Sequence, residues 1–176
     1  MRLTDSAFNP PSFGRWFIWG MPLSGKTSLG KKLKKIISFP VFDLDKELEK
    51  RFQKTVPEIF ETEGEEAFRK KETEMLWSII KDNPTFIIIA GGGTPCYENN
   101  DQLMLSAGNC IFMHTSMDEI LRRSKEMDMD RPLLATNPQK RLSELYKNRL
   151  PVYQKAHAEF FSEKEGLDYF RDLPKS

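Results

Sequence analysis

The chain has 176 residues, 39% of them hydrophobic, and its 27 Lys and Arg nearly cancel its 26 Asp and Glu to leave a formal charge of +1. That length suits one domain with a proper core, and the balanced charge excludes a general nucleic-acid or membrane-binding surface. Cys96 and Cys110 form neither a disulfide framework nor a metal spacing, and no apolar run is long enough to cross a bilayer, so reduced thiols in a cytoplasmic protein are expected.

Residues 1–15 lack an apolar leader core, and Pro10 and Pro11 block regular structure, so they read as a loose arm before a single domain at 16–176. Four short apolar runs follow, Phe17–Trp19, Val41–Phe42, Phe86–Ala90 and Cys110–His114. Each gives way to a glycine, aspartate or polar turn and then to a longer charged stretch. Phe86–Ala90 is continuously apolar and β-branched, the pattern of a central parallel strand covered on both faces. Lys26–Ile37 places Leu29, Leu33 and Ile36 on one helical stripe. Glu65–Lys81 does the same with Phe68, Met75, Leu76 and Ile79, and Met117–Lys125 predicts a shorter helix. Thr-Val-Pro-Glu at 55–58 predicts a capping box that opens a short helix. The polar excursion MDMDRPLLATNPQK at 127–140 interrupts the alternation and predicts a mobile loop over a site, with a lid spanning about 124–138. A helix from about Gln139 towards Arg149 follows, perturbed by Pro151, and Gly166–Phe170 predicts a last edge strand. Alternating strands and helices at this spacing predict an α/β fold with a parallel sheet.

The turn after the first run is the most informative. Gly20, Gly25, Lys26 and Thr27 satisfy G-x-x-x-x-G-K-[ST] between a predicted strand and a predicted helix. Backbone N–H groups of such a loop face nucleotide phosphates, the lysine reaches the β and γ oxygens, and the hydroxyl ligates Mg²⁺. ATP binding is therefore expected along Pro22, Leu23, Ser24, Gly25, Lys26, Thr27 and Ser28. Leu23 leaves the phosphates accessible provided its φ is negative. VFDLD at 41–45 offers two carboxylates on one side of a strand end, Asp43 for hydrated Mg²⁺ and Asp45 for an acceptor hydroxyl, or else an Asp-rich turn. Arg69 and Glu72 share a helix face, as a surface ion pair or as part of an anion site with Arg149. Planar arginines hold a carboxylate bidentately.

Taken in order, the phosphate loop, VFDLD, F-R-x-x-E at 68–72, Gly91–Gly93, R-P-L-L at 131–134 and R-x-P-x-Y at 149–153 resemble shikimate kinase over roughly Trp16 to Phe161. The resemblance implies a three-layer sandwich with a five-stranded parallel sheet and a lid, as in P-loop NTPases and nucleoside monophosphate kinases. It implies ATP-dependent phosphorylation of the shikimate 3-hydroxyl, on the chorismate route to aromatic amino acids. The enzyme would be a cytoplasmic monomer using ATP, shikimate and Mg²⁺, with no nucleic-acid or membrane partner. Thr27 and Asp43 would support the metal, and Asp45 would meet the ring hydroxyls. Arg69 and Arg149 would hold the shikimate carboxylate, with Glu72 orienting the site. Gly91, Gly92 and Gly93 would offer backbone N–H groups in a space no side chain may fill, and Phe60 and Phe68 would be apolar walls or ordinary core. Arg131 would reach over the ATP phosphates from the lid, forming the catalytic set with Lys26 and Asp45, while Arg123 would stack near adenine. The rivals are another small-molecule kinase such as gluconate kinase, a nucleotide-binding homologue without turnover, and an adenylate-type nucleotide kinase. The first need not combine Arg69 and Arg149 with three glycines, the second should lack an acceptor or lid residue, and the third expects a second nucleotide pocket.

Overall fold

Every central strand of the protein is apolar on both faces, and that fixes the layering. The computed structural model describes residues 2–3, 14–126 and 138–173. Strand β1 is Arg2–Leu3 and β2 is Arg15–Trp19. Helix α1 (Lys26–Ile36), strand β3 (Val41–Asp43) and helices α2 (Leu44–Phe52) and α3 (Val56–Asp82) follow. Then come β4 (Phe86–Ile89), a 3₁₀ turn at Thr94–Cys96, α4 (Asn100–Ala107) and β5 (Asn109–Met113). The last elements are α5 (Met117–Glu126), α6 (Pro138–Tyr153), β6 (Ala158–Phe160) and α7 (Glu163–Arg171).

The sheet order is β1-β6-β5-β2-β4-β3. Its five strands from β2 to β6 are parallel, as expected, and β1 adds an antiparallel edge in which Arg2 faces Glu159. That edge comes from the segment expected to be a loose arm, whose residues 4–13 lie outside the described residues. Successive strand residues alternate between two buried clusters. Phe17, Trp19, Phe86, Ile88, Cys110 and Phe112 pack with α2, α3, α4, α5 and α6, while Trp16, Ile18, Ile87, Ile89, Ile111 and Met113 pack with α1 and α7. Two buried faces need two helical layers, which gives the three-layer sandwich. Among the described residues no helix is long and apolar enough to cross a membrane.

The predicted short helix and the helix at Glu65–Lys81 both form, joined into α3 across Gly64, whose φ is 83°. The capping box at Thr55 and Glu58 is present. The expected edge strand at Gly166–Phe170 is instead α7, and the last strand is Ala158–Phe160. Ser162 decides this locally, because its hydroxyl accepts from the Glu165 N–H while the Glu165 carboxylate accepts from the Phe161 N–H. Such a pair opens a helix.

Register brings the chemistry to one edge. Ile18 of β2 faces Ile89 of β4, and Asp43 of β3 faces the same Ile89. The loops after β2, β3 and β4 therefore emerge side by side from the carboxyl ends of the strands. Strand β2 lies between β4 and β5, the switch point where open α/β sheets bind ligands.

Candidate active site

The phosphate loop turns through three residues with positive φ, Gly20 at 149°, Leu23 at 67° and Gly25 at 98°. At Gly20 a Cβ would lie 2.6 Å from the Met113 carbonyl oxygen, so the first glycine is required by a neighbouring strand. The proviso of a negative φ at Leu23 is not met. The loop winds left-handed at this residue, and the Arg123 guanidinium donates to the Leu23 carbonyl at 2.8 Å. A leucine held there costs on the order of 1 kcal/mol. Gly25 sits at the N-cap of α1 with no side-chain cap, so the first amides of the helix face the loop. The buried Lys26 ammonium donates to the Gly20 and Met21 carbonyls at 2.9 and 2.7 Å.

A cavity of about 630 Å³ opens over this loop. Pro22 through Ser28 line it together with Asp43, Asp45, Gly91, Gly92 and Arg123. Every residue expected at ATP is thus in one place apart from Arg131, which lies outside the described residues, as do 127–137 of the expected lid. Arg123 is held on α5 by Glu119 at 2.7 Å as well as by the Leu23 carbonyl. A neighbouring cavity of about 530 Å³ continues past Arg123 to His114 and Phe161.

The two aspartates do not share a strand face as the alternation suggested. The strand ends at Asp43, whose carboxylate caps α2 by accepting from the Lys46 N–H at 3.4 Å, and Asp45 lies in the first helical turn. Both still line the loop cavity. Burial raises the Asp45 carboxyl from the ordinary 3.8 to about 6, with the charges of Glu72 and Asp43 adding to it and Lys26 and Arg69 opposing it. Among the described residues no three His, Cys, Asp or Glu are grouped to hold a metal on their own. The Thr27 hydroxyl and the Asp43 carboxylate do line the same cavity. Such hard oxygen donors suit Mg²⁺ that takes its other ligands from water and phosphate.

Arg69 and Glu72 form a buried pair rather than a solvated one. Their charged atoms are 2.6 Å apart, and the two side chains are 11% and 1% exposed. Phe60 and Phe68 lie beneath Arg69, with their ring centroids 4.4 Å apart and the guanidinium 5.8 and 5.2 Å from them. Phe68 is buried in the core and Phe60 packs against it, as the ordinary-core alternative expects. Arg69, Gly93 and Arg149 line one cavity of about 400 Å³ with Cys96 and Tyr97. Arg149 is brought there by α6, whose end is fastened by Tyr153. The Tyr153 hydroxyl donates to the Gly92 carbonyl, and the Trp19 indole N–H donates to the Tyr153 carbonyl at 3.1 Å.

The three glycines are bare for three different reasons. A Cβ on Gly91 would meet Glu72 at 2.6 Å and Asp45 at 3.0 Å, one on Gly92 would meet Pro22 at 2.8 Å, and one on Gly93 would meet Arg69 at 2.4 Å. The expectation gave their bareness to the bound ring alone, yet the protein's own side chains already occupy the space. The loop is the junction where the aspartate, the phosphate loop and the arginine clamp meet.

Sequence reasoning missed Thr94, Asn100, Thr73 and Cys96. Thr94 hydrogen-bonds Glu72, and Asn100 donates to both the Thr94 carbonyl and the Thr73 hydroxyl. The Thr-Pro that follows the glycines was the available signal, since it starts a tight turn.

A family model described as shikimate kinase matches residues 22–172. A curated shikimate kinase from Clostridium botulinum (strain Okra / Type B1) is 39% identical over 139 residues, covering 78% of this chain and 81% of that protein. Among solved structures, shikimate kinase from Acinetobacter baumannii in complex with shikimate superposes with a TM-score of 0.81 at 26% identity, over 93% of this chain and 97% of that one. The shikimate kinase of Bacteroides thetaiotaomicron gives 0.78 at 30% identity, over 90% and 97%.

Proposed function

This chain belongs to the shikimate kinase family, and from that premise we propose that it transfers the γ-phosphoryl group of ATP to the 3-hydroxyl of shikimate, in the chorismate pathway. The observation that carries the reading is the junction at Gly91–Gly93. It joins a cavity lined by two arginines to a cavity lined by a phosphate loop and an acidic pair.

In this reading the shikimate carboxylate is taken by Arg69 and Arg149, since planar guanidiniums match a carboxylate. Glu72 keeps Arg69 from turning away, and the Phe60–Phe68 pair supports it from below. The ring lies along the glycine floor with its hydroxyls towards Asp45. The hydroxyl oxygen attacks the γ-phosphorus, the bond to the β,γ-bridging oxygen breaks, and Asp45 receives the hydroxyl proton. Lys26 moves from the loop carbonyls to the β and γ oxygens, and the loop amides hold the phosphate chain. Arg131 supplies a further positive charge from the lid, and Arg123 lies near the adenine. Thr27, and Asp43 through water, would hold Mg²⁺, which neutralises phosphate charge when bound. Alignment and charge neutralisation supply the acceleration, with no covalent enzyme intermediate. A cytoplasmic monomer completes the proposal.

ADP release measured with shikimate, quinate, gluconate and nucleoside monophosphates tests it. Shikimate is expected to give the highest kcat/KM. Preference for gluconate or a nucleotide would overturn the assignment, and ATP binding without turnover on any acceptor would favour the non-catalytic alternative.

A further inference from the structure

Behind the glycine floor the Arg69–Glu72 pair belongs to a ring of hydrogen bonds whose other members have no role above. It begins at Glu72, whose carboxylate is divided between two partners. One oxygen accepts from Arg69 at 2.6 Å, and the other accepts from the Thr94 hydroxyl. The Thr94 carbonyl accepts from the Asn100 side-chain amide at 3.0 Å, and the same amide donates to the Thr73 hydroxyl at 2.9 Å. Thr73 in turn donates to the Arg69 carbonyl at 3.1 Å, and Arg69 closes the ring back to Glu72. Thr94, Glu72 and Asn100 are 0%, 1% and 3% exposed, so water does not replace a partner that is lost.

Thr94 also ties this ring to the glycines. Its N–H donates to the Gly91 carbonyl at 3.2 Å, and it opens the 3₁₀ turn that carries Cys96 into the arginine cavity. One residue thus sets both the height of the floor and the direction of the clamp. A carboxylate held on one side only would be free to rotate about its last bond, and Arg69 would then be left with the exposed Glu65 carboxylate at 3.3 Å and the rings beneath it.

We propose that Thr94 is a positioning residue for acceptor recognition, fixing Glu72 so that Glu72 fixes Arg69 towards the substrate carboxylate. The proposal rests on the acceptor reading given above. Thr94 touches no reacting atom. Its contribution is made equally to the bound substrate and to the transition state, and loss of such a contact raises KM with kcat kept.

The test is steady-state kinetics on Thr94→Val and Thr94→Ser in the full chain, with melting temperature as the check on folding. Thr94→Val keeps the shape and removes the donor. It is expected to raise the shikimate KM roughly tenfold or more, the scale of one hydrogen bond to a charged group, while kcat and the ATP KM change less than about threefold. Thr94→Ser keeps the hydroxyl and is expected to restore most of the shikimate affinity. In an Arg69→Lys background the effect of Thr94→Val is expected to shrink, because the group it positions has changed. Thr94→Ala gives the same comparison if the valine variant does not fold. An unchanged shikimate KM in a folded Thr94→Val protein overturns the inference, and so does equal loss in Thr94→Ser or full additivity with Arg69→Lys. A wild-type chain that releases no ADP with shikimate removes the acceptor reading itself, so the two failures are told apart.

Discussion

Arg69 of α3 and Arg149 of α6 line the same cavity, about 400 Å³ in volume, together with Cys96, whose thiol feels both charges. Arg69 is already answered by Glu72 and Glu65, and Glu65 and Glu66 line the same cavity as Arg149; a substrate carboxylate is the further anion proposed for the two guanidiniums. Arg149→Ala is therefore expected to raise the shikimate KM by roughly a hundredfold, the loss of about 2–3 kcal/mol from a charge-assisted contact. The ATP KM should change little. Shikimate saturation equal to that of the wild type would remove Arg149 from the acceptor site.

Gly92 and Gly93 separate the two halves of the site by a single residue. At Gly93 the added Cβ meets Arg69, while at Gly92 it meets Pro22 of the phosphate loop. Neither glycine has a positive φ, so contact alone is at issue. Gly93→Ala is expected to raise the shikimate KM at least tenfold with ATP binding kept, and Gly92→Ala is expected to weaken ATP more than shikimate. Opposite preferences would show that the glycines do not divide the work this way.

Asp45 carries a cost that its function would explain. Its carboxyl titrates near 6 in the fold rather than at 3.8, mainly because of burial. The folded state thus favours the protonated form. Below the unfolded value the group is neutral in both states and costs nothing; stability then falls as pH rises towards 6, and above that the full penalty remains. In metal-free and nucleotide-free buffer, Asp45→Asn should stabilise the protein at pH 7.5 by about 1–3 kcal/mol, and the gain should vanish near pH 3.5. The same variant should show no detectable phosphoryl transfer. Thermal melts at the two pH values check the first claim and ADP release the second; near-normal turnover would remove Asp45 from the mechanism.

Leu23 should tolerate glycine and resist a β-branched side chain. Its φ of 67° suits glycine, while valine there is far more strained. Leu23→Gly removes strain and a partly buried side chain together, so its melting temperature should stay within a few degrees of wild type. Leu23→Val is expected to raise the ATP KM roughly tenfold. Equal ATP affinity in the two variants would mean the left-handed turn is not needed for nucleotide binding.

Cys96 should react slowly although it lines a cavity. Burial pushes its thiol up to about 11, against the pull of Arg149 and Arg69. Only about one thiol in a thousand is ionised at pH 8, and the thiolate is the nucleophile. Alkylation by iodoacetamide should be slow at pH 7.5 and accelerate about tenfold per pH unit up to pH 10. Rapid labelling at neutral pH would contradict this environment.

Much of the architecture was legible because the central strands are so apolar. FIIIA admits few readings other than a covered parallel strand, and G-x-x-x-x-G-K-T carries its own mechanism. Gly166–Phe170 was misread because an aromatic run looks like a strand, whereas the deciding residues, Ser162 and Glu165, lie before it. The aspartates line the phosphate-loop cavity by a geometry other than the one expected, since the sequence does not show that the strand stops at Asp43. The sign of φ at Leu23 could not be read, because it is set by what surrounds the loop, including an arginine from α5. Thr-Pro marked a turn after the glycines, but the roles of Thr94 and Asn100 were hidden for a related reason. Their importance lies in which distant group each one touches, and local pattern does not encode that.

The hydrogen bonds of Lys26 bear on how the phosphate loop discriminates between solutes. Its ammonium is folded back on the carbonyls of its own turn, which ties the loop to the helix that follows it. A visitor must offer this cation something better than peptide oxygen. Polyanions can do so and neutral metabolites cannot, which makes the lysine a toll on entry as well as a hand on the phosphate.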